Sequence, residues 1–236
     1  MGGVLAFAQA LTDNPGSRPN TGLDMDDLML RKLVAETSAR TVHERLNRVS
    51  SGNVSARFEM GFLVTPSGVP SVEVRPEQVV FVDLDGRWSG SLKPSSEWRF
   101  HRDLYAARPE VGAVVHVHSP FAVSMACLRR SIPSFNYMIA AAGGKTIPCA
   151  DYATFGTQAL SDNILAAMGE LRACLMANHG QVAVGRDLQQ ALAVAIEVES
   201  LCEQYWRACQ LGEPVLLTDA EMDEALAAFQ GYGVNR

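Results

Sequence analysis

The chain has 236 residues, enough for one α/β domain with a core of ordinary size. At 47% hydrophobic and 19% charged residues it is a globular composition, not a disordered one. A net charge of −6 argues against binding a nucleic-acid backbone, which needs clustered Lys and Arg, but it leaves room for a small anion at a local site.

Residues 1–24 contain a short apolar stretch without a basic flank, then a run rich in Asn, Pro, Gly, Ser and Thr. They read as a flexible N-terminal extension rather than a signal peptide, ahead of a single domain over 25–236. No run approaches the ~20 apolar residues of a membrane span. The odd count of five cysteines, with no C-x-x-C pair, reads as reduced thiols. The expected location is the cytoplasm, with no membrane or nucleic-acid partner.

From Asp24 to about Leu46 the pattern is helical, with Leu30, Leu33, Val34 and Thr37 on one face and Asp26 and Asp27 near the N-terminus. "SSGNVSARF" reads as a small-residue turn. "GFLVTPSG" and "VVFVDLDG" read as strands closed by turn signals. "PSSEWRFHRDLYAARP" reads as a helix capped by Ser95 or Ser96 and stopped by Pro109. "GAVVHVH" is a strand, followed by Ser119-Pro120 as the cap and first turn of another helix. A Gly-rich stretch leads to a helix near 157–170. "ACLMANHG" is a strand ending at His179, and helices fill about 187–211 and 219–229. Strands and helices mix without strict alternation, which predicts a three-layer α/β/α domain around a mixed sheet. There is no G-x-G-x-x-G or Walker sequence.

His116 and His118 sit at i and i+2 of a strand, so both side chains point to one face. A lone histidine is more often a hydrogen-bonded core residue. Two on one face of a buried strand are harder to satisfy that way. His179 offers a third ligand. Three imidazoles and an open position suit a catalytic Zn²⁺, with Co²⁺, Mn²⁺ or Fe²⁺ as other fits. H-x-H alone is a weak signal, because β-barrel metal enzymes carry it too. His43 and His101 fall on helices, where packing or surface roles are expected.

"SSGN" (Ser50 to Asn53), "TPSG" (Thr65 to Gly68) and "PSSE" (Pro94 to Glu97) are rich in hydroxyls and backbone N–H groups suited to an anion. Each alone is an ordinary turn or cap. Glu97 reads either as a first-turn helix acid or as a carboxylate placed to act as a base beside a metal.

Together and in this order, "SGNVSAR", "TPSG", "PSSEWRFH", "VVHVH", "IPSFNYMIAAAGG", "IPCADYATFGT", "ANHG" and the terminal "YG" resemble the class II aldolase/adducin family, most nearly its fuculose-phosphate aldolases. The resemblance runs from about Met25 to Gly233 and implies a central mixed, largely antiparallel sheet. It implies a homotetrameric, Zn²⁺-dependent lyase with one ion per subunit, for which Co²⁺ or Mn²⁺ can substitute. The reaction implied is reversible cleavage of a ketose 1-phosphate, such as L-fuculose 1-phosphate, into dihydroxyacetone phosphate and a lactaldehyde-like aldehyde. Within the resemblance, His116, His118, His179 and Glu97 match metal ligands, and Glu97 also matches the acid/base. Asn53, Ser67, Gly68, Ser95 and Ser96 match the phosphate site. Tyr137 matches the tyrosine that handles the aldehyde oxygen's proton, and Phe155 and Tyr232 match the aldehyde side. Related epimerases carry Asp where Glu97 stands, and related dehydratases carry an acidic residue where Tyr137 stands. Adducin-like scaffold members lack the metal ligands. The alternatives are a deoxyribulose- or methylthioribulose-phosphate aldolase, an epimerase or dehydratase on a similar sugar phosphate, or a scaffold module.

Overall fold

The structure, a computed structural model, describes residues 25–231. The expected extension over 1–24 and the expected site residue Tyr232 lie outside the described residues.

Among the described residues eight strands form one sheet: β1 (Asn53–Phe58), β2 (Gly61–Val64), β3 (Val80–Asp83), β4 (Trp88–Ser89), β5 (Ala113–Val117), β6 (Cys149–Ala150), β7 (Ala173–Met176) and β8 (Gly180–Gly185). Their order is β4-β3-β2-β1-β5-β8-β7-β6. Every neighbouring pair is antiparallel except β6 and β7. The expected α/β/α sandwich with a mixed, largely antiparallel sheet is what the chain forms.

Among the described residues six helices cover the faces: α1 (Met25–His43), α2 (Trp98–Ala107), α3 (Pro120–Ala126), α4 (Gln158–Met168), α5 (Leu188–Leu211) and α6 (Asp219–Gly231). The two-residue period of the strands sorts the core into two halves. Val54, Ala56, Leu63, Val115, Val117, Leu175 and Ala183 pack against α1, α3 and α5. Phe62, Val64, Val114, Cys174, Met176, Val182 and Val184 pack against α2 and α4. Asn53, Ser55 and His116 alternate with residues of the first set, so they face α2.

Several local expectations change. "SSGNVSARF" contains strand β1, not only a turn: Ser55 and Ala56 pair with Val64 and Leu63 on one side and with Val114 and Ala113 on the other. The paired backbone outweighs a composition rich in turn-forming residues. Helix α1 ends at His43, and Leu33 is exposed while Val34, Ala35, Thr37 and Ser38 are buried. Neither Ser95 nor Ser96 caps α2. Its N-cap position is Glu97, and the Ser95 hydroxyl accepts instead from the Glu97 N–H. Ser119 stands at the N-cap of α3, but its hydroxyl accepts from Gln181 Nε2. The Glu199 carboxylate, on α5, takes the two free N–H groups of Phe121 and Ala122.

His179 does not end a strand. It lies in the turn between β7 and β8, where Asn178 takes the left-handed conformation (φ 56°) that Asn tolerates better than most residues. Strand β8, which pairs β5 along His116↔Val182 and Val117↔Gln181, is the hairpin partner that the sequence reading lacked.

Candidate metal centre and substrate cleft

Antiparallel pairing brings the C-terminal end of β5 beside the start of β1 (Asn53↔His116) and the start of β8 (Val117↔Gln181). His116 on β5, His118 just beyond it and His179 in the β7–β8 turn thereby meet Glu97 at the entry to α2. One ligand atom from each of the four residues lies within 4.8 Å of all the others. Gly180 permits this approach: a Cβ there would lie 2.5 Å from the Val117 carbonyl oxygen and 3.2 Å from His118 Cδ2.

The hydrogen bonds show how the cluster presents its ligand atoms. His116 Nδ1 lies 2.8 Å from the Gln181 carbonyl oxygen, which only accepts, so Nδ1 carries the hydrogen. In the neutral ring Nε2 then presents a lone pair. That Nε2 is 3.0 Å from His118 Nε2 and 3.2 Å from Glu97 Oε2. The other carboxylate oxygen, Glu97 Oε1, is buried and has no hydrogen-bond partner among the described residues, 3.5 Å from His179 Nε2. Lone pairs converging on one point repel unless a cation sits among them. Three imidazoles and a carboxylate suit a divalent ion of the zinc type. The Gln181 carbonyl then plays the usual part of an outer partner that fixes ring tautomer.

The protonation states agree. Burial pushes the Glu97 carboxyl up, but His116, His179 and the Asn53 amide outweigh it and bring its pKa to about 2. Burial, then the neighbouring imidazoles, lowers His118 to about 3 and His179 to about 4. Burial opposes protonation of His116 too, but the Glu97 carboxylate prevails and raises it. A proton on His116 is the competitor that a metal must displace.

These shifts predict acid sensitivity of the metal-free protein. His101, His118 and His179 have folded pKa values of about 3, 3 and 4 against 6.5 unfolded, so the unfolded chain takes up protons first. Their contribution to stability is lost as pH falls below 6.5. His116, raised in the fold, works in the opposite sense, and Glu97 adds to the loss only below about 4.5. Three groups outweigh one. The melting temperature measured in chelator should fall steadily from pH 6.5 to 4; a flat or rising profile contradicts the assignment.

The cluster forms one end of a cleft of about 340 Å³. Asn53, Ser67, Gly68, Ser95, Ser96, Glu97, His118, Phe155 and His179 line it, with His116 buried beneath. The two hydroxyl-rich turns lie side by side because the Ser67 N–H donates to the Lys93 carbonyl and the Ser95 N–H to the Thr65 carbonyl, both at 3.0 Å. Gly68 has a φ of +77°, and its missing Cβ would meet nothing within 4 Å, so glycine is needed there for backbone conformation rather than for close packing. Among the described residues no Lys or Arg lines the cleft, so its polar groups at that end are hydroxyls and amides.

Sequence reasoning missed Tyr152 and Asn178 in the lining. Arg129, outside the lining, donates from Nε to Asn178 Oδ1 at 2.8 Å with its guanidinium 5.9 Å from the Tyr152 ring. Tyr137 begins a 3₁₀ segment, Tyr137–Ala142, is 58% exposed, and does not line the cleft of the single chain. His101, expected to pack or to face solvent, is fully buried against the cluster's neighbour Asn53.

Comparison with known proteins points the same way. Residues 32–206 match the family model for the Class II Aldolase and Adducin N-terminal domain. The chain is 48% identical over 221 residues to the 5-methylthioribulose-1-phosphate/5-deoxyribulose-1-phosphate aldolase of Rhodospirillum rubrum, covering 94% of this chain and 96% of that one. It is 40% identical over 211 residues to the L-fuculose phosphate aldolase of Escherichia coli K12, covering 89% and 98%. A solved L-fuculose 1-phosphate aldolase superposes with a TM-score of 0.83 at 35% identity, covering 86% of this chain and 96% of its own. The chain belongs to the class II aldolase and adducin family.

Proposed function

We propose that this protein is a metal-dependent aldolase that reversibly cleaves a ketose 1-phosphate, such as L-fuculose 1-phosphate, into dihydroxyacetone phosphate and a small aldehyde. The observation that carries this reading is the four-residue ligand cluster at one end of a cleft whose other end is two adjoining hydroxyl-rich turns. His116, His118, His179 and Glu97 would hold the ion, and Zn²⁺ fits the donor set. When bound, such an ion supplies Lewis-acid stabilisation of negative charge on the substrate.

Asn53, Ser67, Gly68, Ser95 and Ser96 bind the phosphate and fix the reacting carbons against the cluster. In cleavage the C4 hydroxyl loses its proton and becomes the aldehyde. The C3–C4 pair moves toward C2, and Glu97 delivers a proton to C3; in synthesis Glu97 removes it. Tyr137 exchanges the proton of the aldehyde oxygen. Because Tyr137 stands outside the single-chain cleft, this role requires assembly into the homotetramer that the family resemblance implies. Phe155 lines the aldehyde side, and Tyr232 is assigned there by resemblance alone. Five free cysteines support a reducing, cytoplasmic setting. Among the described residues no helix is long and apolar enough to cross a membrane.

A second reading changes the aldehyde. The 48% identical relative from R. rubrum, with exposed Phe155 and Tyr152 at the cleft, favours 5-deoxyribulose 1-phosphate or 5-methylthioribulose 1-phosphate. A methyl-sized difference changes binding by only ~1–3 kcal/mol, so one cleft can accept several such substrates. Glu97 and Tyr137 favour the aldolase over the epimerase and dehydratase readings, and the intact ligand set disfavours a scaffold.

Purified protein should release dihydroxyacetone phosphate from one or more of these three substrates, lose that activity in EDTA and regain it with Zn²⁺. No dihydroxyacetone phosphate from any of them sinks the aldolase. Activity that survives full metal removal sinks the metal dependence.

A further inference from the structure

Beneath the metal cluster runs a line of buried polar side chains, of which the proposed reaction uses only Asn53. Asn53 Nδ2 is 3.0 Å from Glu97 Oε2, and Asn53 Oδ1 is 2.5 Å from His101 Nε2. His101 Nδ1 is 2.6 Å from Ser55 Oγ, which is 2.8 Å from the Tyr105 hydroxyl. Ser55 and His101 are 0% exposed, Tyr105 1% and Asn53 4%. Four polar groups in the dry half of the core that packs α2 are costly unless each is satisfied.

The directions of these bonds are forced from one end. The Glu97 carboxylate only accepts, so the Asn53 amide nitrogen must face it; the flipped amide would set oxygen against oxygen. Asn53 Oδ1 therefore accepts, and His101 Nε2 carries the hydrogen. Nδ1 of the neutral ring then accepts from the Ser55 hydroxyl, which in turn accepts from Tyr105. Burial raises the Tyr105 pKa, keeping its hydroxyl protonated as the first donor. Every donor points toward Glu97. The ring is held from the sides as well, its centroid 4.5 Å from Phe100 at 22° and 6.3 Å from Phe62 at 12°.

We propose that His101 is a positioning residue for the Glu97 carboxylate, acting through Asn53, with Ser55 and Tyr105 fixing its tautomer. The proposal rests on the acid/base role given to Glu97. Asn53 has two duties, since it also lines the anion end of the cleft. With His101 in place its amide cannot flip, so the carboxylate and the substrate anchor keep one fixed relation. Without it the amide is free to turn its oxygen toward Glu97 and push the carboxylate off its position.

The test compares His101→Phe, which keeps a ring between Phe62 and Phe100 without nitrogens, with His101→Gln. The Gln amide nitrogen lies as many bonds from Cα as His Nε2 and can donate to Asn53. The Phe variant should retain one zinc per chain in a chelator titration and lose about 10- to 100-fold in kcat, the usual cost of an outer partner, with little change in KM. The Gln variant should recover most of the loss. An unchanged kcat in His101→Phe, or a Gln variant no better than Phe at equal melting temperature, overturns the proposal. Independently of activity, ¹⁵N spectra should place the His101 hydrogen on Nε2; a hydrogen on Nδ1 overturns it too. If His101→Phe does not fold, Ser55→Ala is read in the same way, and an undiminished kcat there is fatal. Glu97→Gln run in parallel separates the two ideas. If it stays active, the acid/base reading fails; if it loses activity while His101→Phe keeps the kcat of the parent, only the positioning role fails.

Discussion

Glu97→Gln should bind one zinc per chain and lose about 10²- to 10⁴-fold in kcat, the range for removing a general acid/base. The substitution is nearly isosteric, and its amide oxygen can still accept from Asn53 Nδ2, which lies 3.0 Å from the carboxylate. Three imidazoles remain to hold the ion. What disappears is a group that can give a proton to carbon and take it back. Dihydroxyacetone phosphate release gives kcat, and elemental analysis of the same sample gives metal content. An unimpaired variant would refute the role of Glu97, and an inactive variant without metal would reassign the loss to ligation.

His118→Ala should abolish stable metal binding, and activity with it. Its Nε2 stands 3.0 Å from that of His116. Losing a ligand should cost more than the about 10- to 100-fold that losing an outer partner costs. The fold should survive, because His118 lies just past the end of β5 and lines the cleft rather than the core. Added zinc should raise the melting temperature of the parent and leave the variant's unchanged. A variant that still melts higher with zinc would remove His118 from the ligand set.

Much of this was legible in the sequence because it rested on local rules. Asp187 caps α5 through the Gln190 N–H, and Thr157 caps α4, so those helix starts fell where composition put them. The two-residue period delivered His116 and His118 to one face. Strand β1 was hidden by its turn-like composition, although the alternation of Asn53, Ser55 and Arg57 with Val54, Ala56 and Phe58 carried the signal. The cap of α3 could not be read locally, since Glu199 lies far along the chain from Phe121 and Ala122. The packing role expected of His101 holds, but its polar partners were hidden for the same reason. Its partners Ser55 and Asn53 lie on β1, and only the pairing of β1 with β5 sets them beneath the cluster.

The ligand set is assembled from three separated stretches of chain: the entry to α2, the end of β5 and the β7–β8 turn. In an unfolded chain these groups do not meet, so a cation recognises only the finished sheet. By mass action, free ion at a thousandfold excess over its Kd would add about 4 kcal/mol to the native state, comparable to the whole margin of many domains. Metal supply would then govern how long each copy of the chain survives before proteolysis, quite apart from how fast it turns over substrate.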